Sequence, residues 1–206
     1  MLISKKKLKI AFQGMAGAYS NMACEECFPN AKAIPCISFE NMLETTKSKV
    51  SDLAMVPIEN SVAGRVADIH NLIPESGLHI IGEHYQKVNH QLLALKGATL
   101  KTIKTVKSHS QGLAQCRKLI KQLNIVPVQH IDTAGAAHEL SKGNDITVAA
   151  IASKMAAKIY GLKILKTNIE DEVNNTTRFL IMSNKKYIPK YDKSKVFVTT
   201  IVFEMK

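Results

Sequence analysis

The sequence predicts an α/β protein of two lobes joined by two crossing segments. Short β-branched or apolar runs alternate along the chain with longer amphipathic runs, which is typical of α/β folds. The alternation breaks once, at 78–95, where two apolar runs follow each other without a helix between them. It then restarts, and near 165–175 the chain crosses back to one more strand. Two lobes connected in this way are expected to form a hinged cleft, a common place for small ligands.

The first half of the chain is predicted to form one α/β unit. Apolar runs bounded by turn residues predict its strands, and apolar positions three and four residues apart predict its helices. Pro57 is expected to end the third strand and Pro74 the third helix, because proline has no backbone N–H. The predicted strands are 8–13, 33–37, 53–56 and 78–85, and the predicted helices are 18–27, 39–47 and 65–73.

The second half repeats this pattern and ends on a return strand. These elements place residues 1–83 and 168–183 in lobe 1 and residues 84–167 in lobe 2. Residues 184–206 are predicted to be a basic linker followed by one lone strand. The predicted strands are 91–95, 105–107, 126–129, 147–150, 163–165 and 179–182, and the predicted helices are 111–123, 134–140 and 152–160.

Composition and charge exclude several classes of protein. The 206 residues, 46% hydrophobic and 22% charged, match a soluble globular protein rather than a disordered one. The net charge of +11 comes mostly from the ends, because residues 1–10 and 184–206 each carry +4. This distribution argues against nucleic-acid binding, although the remaining charge of about +3 suits a small anionic ligand. No apolar run is long enough for a membrane span, and no secretory signal is expected.

The four cysteines suit a reducing cytoplasm rather than a disulfide framework. Cys24 and Cys27 form a CxxC motif, which can mark a thiol redox or zinc site. Two glutamates lie between them and would raise the pKa values of both thiols, and no second pair is present. We therefore expect buried helix cysteines rather than a redox or zinc site.

Two polar loops in the first half lie where predicted strands lead into helices. Residues 14–20 combine two glycines with a helix start, which indicates either a tight turn or an anion site built from free N–H groups, with Gly17 and Ser20 as binding candidates. Residues 57–64 follow a buried strand. Asn60 there could donate its amide to a carboxylate or could form an Asx turn.

Three further loops lie in the second half. In residues 108–116, Ser108 or Ser110 could cap a helix, and His109 is either a general base or a structural residue. In residues 132–137, Asp132 or Thr133 is the expected cap. Residues 174–179 combine two amides, two hydroxyls and an arginine, which indicates either a carboxylate cradle or a solvated turn.

Taken together, these motifs resemble those of prephenate dehydratase, an enzyme of phenylalanine biosynthesis, and of its plant arogenate dehydratase relatives. The motifs occur in the family's order and spacing, so the resemblance covers residues 8–183. Besides the glycine turn they are PIENSVAG at 57–64, SHSQGLAQC at 108–116, DTAGAA at 132–137, AAIASKMAAKIYGLKIL at 149–165 and NNTTRF at 174–179.

The resemblance implies a periplasmic-binding-protein-like (type II) fold with the active site between the lobes. It also implies decarboxylating dehydration of prephenate, or alternatively of arogenate, without a metal or an organic cofactor. A non-catalytic small-anion binding protein of the same fold is the alternative from another class. The family's catalytic threonine corresponds to Thr177. The expected partners are prephenate and, in a homodimer, a second copy of the chain. The expected substrate-binding residues are Arg178, Asn60, Ser108, Gln115, Ser20, Gly17, Glu59 and Gln111.

The sequence departs from the family pattern at three positions and at its C-terminal end. Met15 and Ala18 replace a proline and a threonine of the glycine turn, and Ser110 replaces the proline of SHPQ. The Gly-Ala-Tyr-Ser form resembles that of arogenate enzymes. Residues 195–204 resemble only the first strand of the family's ACT regulatory domain, so phenylalanine is not expected to inhibit this chain through that domain.

Overall fold

The computed structural model describes residues 7–194 and residue 196, and it shows two lobes that are each built on one β-sheet. Lobe 1 consists of β1 (Lys9–Gln13), α1 (Tyr19–Cys27), β2 (Lys32–Cys36), α2 (Phe39–Lys47), β3 (Leu53–Asn60), β4 (Gly64–Arg65), α3 (Ala67–Glu75), β5 (His79–Lys87) and β11 (Thr176–Ser183). Lobe 2 consists of β6 (Gln91–Ala94), β7 (Thr105–Ser108), α4 (Ser110–Ala114), α5 (Arg117–Leu123), β8 (Val126–Gln129), α6 (Thr133–Lys142), β9 (Val148–Ala152), α7 (Lys154–Tyr160) and β10 (Lys163–Lys166).

The two sheets share one topology. The first has the order β2-β1-β3-β11-β5, with β4 added beside β3, and the second has the order β10-β6-β9-β7-β8. In each sheet the strand that arrives from the other lobe, β11 or β6, lies antiparallel between that lobe's third and last strands. This arrangement confirms the predicted α/β, two-lobed, periplasmic-binding-protein-like (type II) fold.

Each sheet is covered by helices on both faces, so its strands are apolar on both faces. In β1, Ile10 and Phe12 pack in the cluster that faces α1, while Ala11 packs with Met42 of α2 on the opposite face. The second sheet is divided in the same way between a leucine- and isoleucine-rich cluster and an alanine-rich cluster against α6 and α7. Small side chains in the second cluster allow these helices to pack close to the sheet.

The prediction that β3 ends before Pro57 is wrong. The strand continues to Asn60 because Pro57 lies at a β-bulge, where the register with β11 shifts between Arg178 and Phe179. A proline is tolerated at a bulge because no ladder hydrogen bond is lost there. The register leaves Ile58, two residues before Asn60, without a partner in β11, and β11 begins at Thr176 rather than at Phe179.

The single helix predicted over 111–123 is two helices, α4 and α5, with a break at Gln115 and Cys116. Asp171 from the return crossing enters this break. Its backbone N–H donates to the Gln115 carbonyl at 2.6 Å, and its carboxylate accepts the backbone N–H of Lys118 at 3.2 Å. Sequence-distant groups thus satisfy backbone polar atoms that a continuous helix would satisfy itself.

Other bounds also differ from the prediction. The third helix begins at Ala67 and includes Pro74, while Arg65 belongs to the short strand β4. Strand β5 pairs with β11 as far as Lys87, so the first sheet extends past residue 83. The predicted strand at 195–204 lies outside the described residues. Across the described part of the chain, no helix has the length and apolar character needed to cross a membrane.

Candidate active site

A cleft of about 600 Å³ lies between the lobes, where strands of both sheets end. Its walls come from the loop after β1, the ends of β3 and β11, and the first turns of α3, α4 and α6. The cleft therefore lies where the predicted polar loops meet. Its polar lining side chains are Gln13, Tyr19, Ser20, Asn60, Arg65, Asp68, His90, His109, Gln111, Gln115, Asp132, Thr133 and Thr177.

Asn60 fixes the position of the Thr177 hydroxyl. The side-chain oxygen Oδ1 of Asn60 accepts the backbone N–H groups of Val62 and Ala63, at 3.0 and 2.8 Å. Its amide nitrogen donates to Thr177 Oγ1 at 3.0 Å and to Asn175 Oδ1 at 2.8 Å. Because the Thr177 oxygen accepts from Asn60, its own proton is free to be donated into the cleft.

A polar chain continues from Asn175 into the second lobe. Asn175 Oδ1 accepts from Asn60, so its amide nitrogen is the donor to Gln115 Oε1 at 2.9 Å. The same Gln115 oxygen lies 2.8 Å from His90 Nε2. The break between α4 and α5 places Gln115 at the end of a helix, where its side chain reaches both Asn175 and His90.

This chain of contacts determines the tautomer of His90. An amide oxygen only accepts, so His90 Nε2 carries the proton. In the neutral ring Nδ1 is then an acceptor, 2.9 Å from the Tyr19 hydroxyl, and it shares that hydroxyl with the Asn89 carbonyl, to which Tyr19 donates at 3.0 Å. Burial lowers the pKa of His90 against the opposing effects of Gln115 and Glu170, which favours the neutral ring. Burial also raises the pKa of Tyr19 well above its ordinary value, so its hydroxyl remains a donor.

Glu170 joins the two crossing segments behind this chain. One carboxylate oxygen accepts the Asn89 amide at 2.7 Å, and the other accepts the backbone N–H of His90 at 2.8 Å. The backbone N–H of Val88 in turn donates to the Asn175 carbonyl at 2.8 Å. The hinge is therefore a hydrogen-bonded pair of extended crossing segments that also carries side chains of the site.

The loop before α1 is both a wall of the cleft and a contact between the lobes. Ala18, at the start of α1, has no side-chain cap, and Ser20 lines the cleft in the first turn. Gly17 does not offer its N–H to a ligand, because that group donates to Asn21 Oδ1 at 3.0 Å. The Gly17 carbonyl accepts the Ser153 hydroxyl of lobe 2 at 2.5 Å.

The SHSQ motif has a different local structure from the one predicted. His109, rather than Ser108 or Ser110, is the cap of α4, and its Nδ1 accepts the backbone N–H of Gln111 at 3.2 Å. Ser108 is fully buried and donates to the Ile151 carbonyl at 2.7 Å. His109 and Gln111 line the cleft, whereas Ser108 does not. The predicted cap of α6 is confirmed as Asp132.

Arg178 and Glu59 do not line the cleft in the described structure. The guanidinium of Arg178 pairs with Glu83 through two nitrogens, at 2.8 and 2.9 Å, and this carboxylate raises the pKa of Arg178. The expected carboxylate cradle is therefore not formed by Arg178 here. Alternate residues of a strand point to opposite faces, so Arg178 lies opposite Thr177, while Glu59 is exposed.

The cysteines match the expectation of buried thiols more closely than that of a reactive pair. All four are free thiols. Burial, the thiol of Cys27 and the carboxylate of Glu25 raise the pKa of Cys24 to about 12, and burial with Glu26 raises that of Cys27. Within the part of the chain that the structure describes, no three His, Cys, Asp or Glu side chains are grouped to hold a metal.

Sequence reasoning missed several residues of the site. Tyr19, His90 and Asn175 belong to the polar chain, and Arg65 and Asp68 line the cleft. The only available signal for His90 was its place in the predicted first crossing, between two strands. Asn175 lay in the motif that provided Thr177, but its partners are far away in sequence and could not be read from the motif.

The fold and the site together define a two-lobed α/β protein with a polar, hinge-linked cleft suited to a small anion. The prephenate dehydratase family model matches residues 10–187. The chain belongs to the prephenate dehydratase family.

Characterised relatives are similar to the chain along almost its whole length. It is 42% identical to a bifunctional N-acyl-homoserine lactone acylase/prephenate dehydratase of Komagataeibacter europaeus, covering 95% of the chain and 69% of that protein. It is 43% identical to arogenate dehydratase/prephenate dehydratase 1 of Arabidopsis thaliana, covering 97% and 50%. The prephenate dehydratase of Arthrobacter aurescens, solved with L-Phe, superposes with a TM-score of 0.83 at 30% identity, covering 90% and 63%. The chain thus spans half to about two-thirds of the length of these proteins.

Proposed function

We propose that the chain is a prephenate dehydratase, a carbon–oxygen lyase that converts prephenate to phenylpyruvate in L-phenylalanine biosynthesis. The observation that supports this most directly is the Thr177 hydroxyl, which Asn60 holds at 3.0 Å with its proton free to be donated into the cleft. A donor fixed in this way suits the protonation of a departing hydroxyl. The membership of the family supplies the reaction class.

The proposed reaction breaks two bonds that join substituents to opposite ends of the substrate's ring. The bond between C1 and the ring carboxylate breaks, and its electron pair moves into the ring as CO2 leaves. The C4–oxygen bond breaks at the other end, and the oxygen takes a proton and departs as water. The ring becomes aromatic, so the reaction as written needs neither an oxidant nor an electron-accepting cofactor. The protein has to hold the substrate and donate a hydrogen bond or a proton.

The described contacts divide the predicted residues into two groups. Thr177 is the proposed catalytic donor, and Asn60 is its positioning residue. The proposed substrate contacts in the cleft wall are Ser20, Gln111 and Gln115, with the uncapped first turn of α1 as a positively polarised surface for an anion. The predicted residues that do not line the cleft, and to which we assign no direct substrate contact, are Ser108, Gly17, Glu59 and Arg178.

Arogenate is the second candidate substrate, and one feature of the cleft favours it. Arogenate carries an ammonium group where prephenate carries a ketone. Asp68, in the first turn of α3, lines the cleft and could pair with that ammonium group. The plant relatives named as arogenate dehydratases are consistent with this alternative.

Turnover by the purified chain tests the proposal. We expect prephenate to give phenylpyruvate without added metal, and arogenate, if it is the better substrate, to give phenylalanine with a higher kcat/KM. Asp68→Asn should lower kcat/KM for arogenate and leave that for prephenate almost unchanged. Binding of either compound without product formation would support the non-catalytic alternative and contradict the proposed activity.

Location and assembly are further proposals. The free thiols are consistent with a reducing compartment such as the cytoplasm. We also propose prephenate as the ligand partner and a homodimer as the assembly. Light scattering after size-exclusion chromatography measures the mass of the assembly, and a monomer at micromolar concentration would contradict the dimer.

A further inference from the structure

The three arginines of the chain have different environments. They are Arg65, Arg117 and Arg178. Arg178 is paired with Glu83, and Arg117 begins α5 away from the cleft. Arg65 ends the short strand β4 and lines the cleft. Among the described lining residues, Arg65 is the one side chain with a permanent positive charge.

The guanidinium group of Arg65 is available for a ligand. Within the described residues it makes no hydrogen bond or ion pair. An unpaired guanidinium keeps its planar set of donors free, and this set matches a carboxylate in a bidentate geometry. Arg65 therefore offers the carboxylate contact that the sequence motif predicted for Arg178.

The backbone places Arg65 and Thr177 on opposite sides of β3. Arg65 is paired in register with Glu59, and Thr177 is paired with Asn60 on the other side of the same strand. Neighbouring strands are about 4.8 Å apart, so the two backbones are separated by about 10 Å across β3. Cross-strand partners share a face, so Arg65 starts on the face of Glu59 and reaches the cleft from the short strand β4, whereas Thr177 starts on the opposite face. Both side chains line the cleft, and a six-membered ring with a short side chain can lie between them.

We propose that Arg65 binds the carboxylate that prephenate keeps, the one on its pyruvyl side chain, while the carboxylate that is lost faces uncharged groups. This inference rests on the proposed function. The lost carboxylate gives up its charge as CO2 forms, so a cation beside it would stabilise the ground state more than the transition state. The retained carboxylate keeps its charge throughout, so Arg65 can hold it without opposing the reaction. The C4 hydroxyl at the other end of the ring then lies towards Thr177.

A pair of ligands that differ in this carboxylate tests the assignment. Phenylpyruvate retains it, and phenylacetone has the same phenyl ring and ketone with an uncharged methyl group in place of the carboxylate. We expect Arg65→Gln in the full chain to weaken phenylpyruvate by about 10- to 100-fold and to leave phenylacetone unchanged, as measured by calorimetry or by competitive inhibition. KM for prephenate should rise by a similar factor, with a much smaller change in kcat. Arg65→Lys, which keeps the charge but not the fork, should recover part of the loss.

Arg117→Gln is the matched control, because it removes the same charge outside the cleft. Equal weakening of phenylpyruvate in the Arg65→Gln and Arg117→Gln variants would overturn the assignment in favour of a general charge effect. An Arg65→Gln variant with unchanged phenylpyruvate binding and unchanged KM would also overturn it. If the wild-type chain binds phenylpyruvate through Arg65 but does not turn over prephenate, the proposed function is wrong while the carboxylate site stands.

Discussion

At the residue scale, one amide side chain performs two tasks that the sequence suggested as alternatives. The carbonyl of Asn60 forms the turn by accepting two backbone N–H groups, and its amide nitrogen orients Thr177. An asparagine can do both because its acceptor and its donors are on different atoms. Asn60→Asp would keep the acceptor and lose the donor, which makes the positioning role separable from the turn.

Thr177→Ala should lower kcat by about 10²- to 10⁴-fold, the range for removing a positioned proton-transfer partner. The fold should survive, because the change removes a half-buried hydroxyl rather than a core side chain. Steady-state kinetics with prephenate measures the loss, and circular dichroism checks the fold.

Thr176→Ala is the control for that loss. Among the described contacts, Thr176 meets Asn60 only through its backbone carbonyl, at 3.3 Å, so removal of its hydroxyl should change kcat much less. Similar losses in the two variants would remove Thr177 from its special role and assign the effect to the strand as a whole.

A residue that lines the cleft could be predicted from the sequence only where a short local motif marked it. Thr177 and Asn60 lie in short motifs at strand ends, and both line the cleft as expected. Arg178 was expected in the cleft because of its neighbours, although alternation along a strand places it on the opposite face from Thr177. Arg65 was read only as the start of a helix, because nothing local shows which wall of a cleft a residue will line.

At the element scale, the loop before α1 and the start of α7 hold the lobes together on one side of the cleft. The Ser153 hydroxyl accepts the backbone N–H of Ala156 at 3.0 Å and donates to the Gly17 carbonyl at 2.5 Å. The Tyr160 hydroxyl donates to the Ala16 carbonyl at 2.7 Å. Helix α7 thus uses its own cap to bind a loop of the other lobe, and this contact limits how far the cleft can open on that side.

Gly17→Ala should destabilise the protein by about 2 to 5 kcal/mol, because two penalties add. Gly17 has φ = +87°, which disfavours any residue with a Cβ, and a Cβ there would lie 2.7 Å from the Ala156 Cα. The neighbouring atoms are the backbone and the Cβ of Ala156, which cannot move without shifting helix α7. Urea unfolding measures the change.

Gly77→Ala separates these two penalties. Its φ is +67°, and nothing lies within 4 Å of the added Cβ, so only the backbone strain of about 1 to 2 kcal/mol is expected. If the two variants lose the same free energy of unfolding, the close approach between Gly17 and α7 does not contribute to stability.

The sequence predicted most helices and strands as the correct type of element, but it did not predict where a strand continues past a proline or where a helix is interrupted. Helix α2 and strand β8 have the predicted bounds, because their periodicity and flanking turn residues agree. The end predicted at Pro57 and the unbroken helix over 111–123 were wrong for one reason. A bulge in β3 and the entry of Asp171 into the helix both depend on groups distant in sequence.

At the scale of the whole molecule, the two crossing segments that form the hinge also carry side chains of the site. His90 lies on the first crossing, Asn175 on the second and Gln115 in lobe 2, and their side chains form one chain of hydrogen bonds that ends at Thr177. Any rotation of the lobes must keep or break these bonds. The two crossings were predictable from the break in alternation at 78–95. Their hydrogen bonding was not, because it joins residues that only the completed fold brings together.

The neutral, buried His90 predicts how the stability of the molecule depends on pH. In the folded state, burial lowers the pKa of His90, whereas in the unfolded chain a histidine binds a proton near its ordinary pKa of about 6.5. Below that pH the unfolded state therefore binds more protons than the folded state, and the free energy of unfolding falls as the pH is lowered towards the folded pKa. The contribution of His90 is fully present above about pH 7.5 and declines below about pH 6.5.

Urea unfolding of wild type and of His90→Gln between about pH 5.5 and 7.5 tests this dependence. The variant should have a lower free energy of unfolding at high pH and should lose less of it as the pH falls. His79→Gln, an exposed histidine of β5, should retain the wild-type slope. If His90→Gln and wild type decline in parallel, the folded state does not require a neutral His90, and the hinge chain does not depend on the tautomer assigned to it.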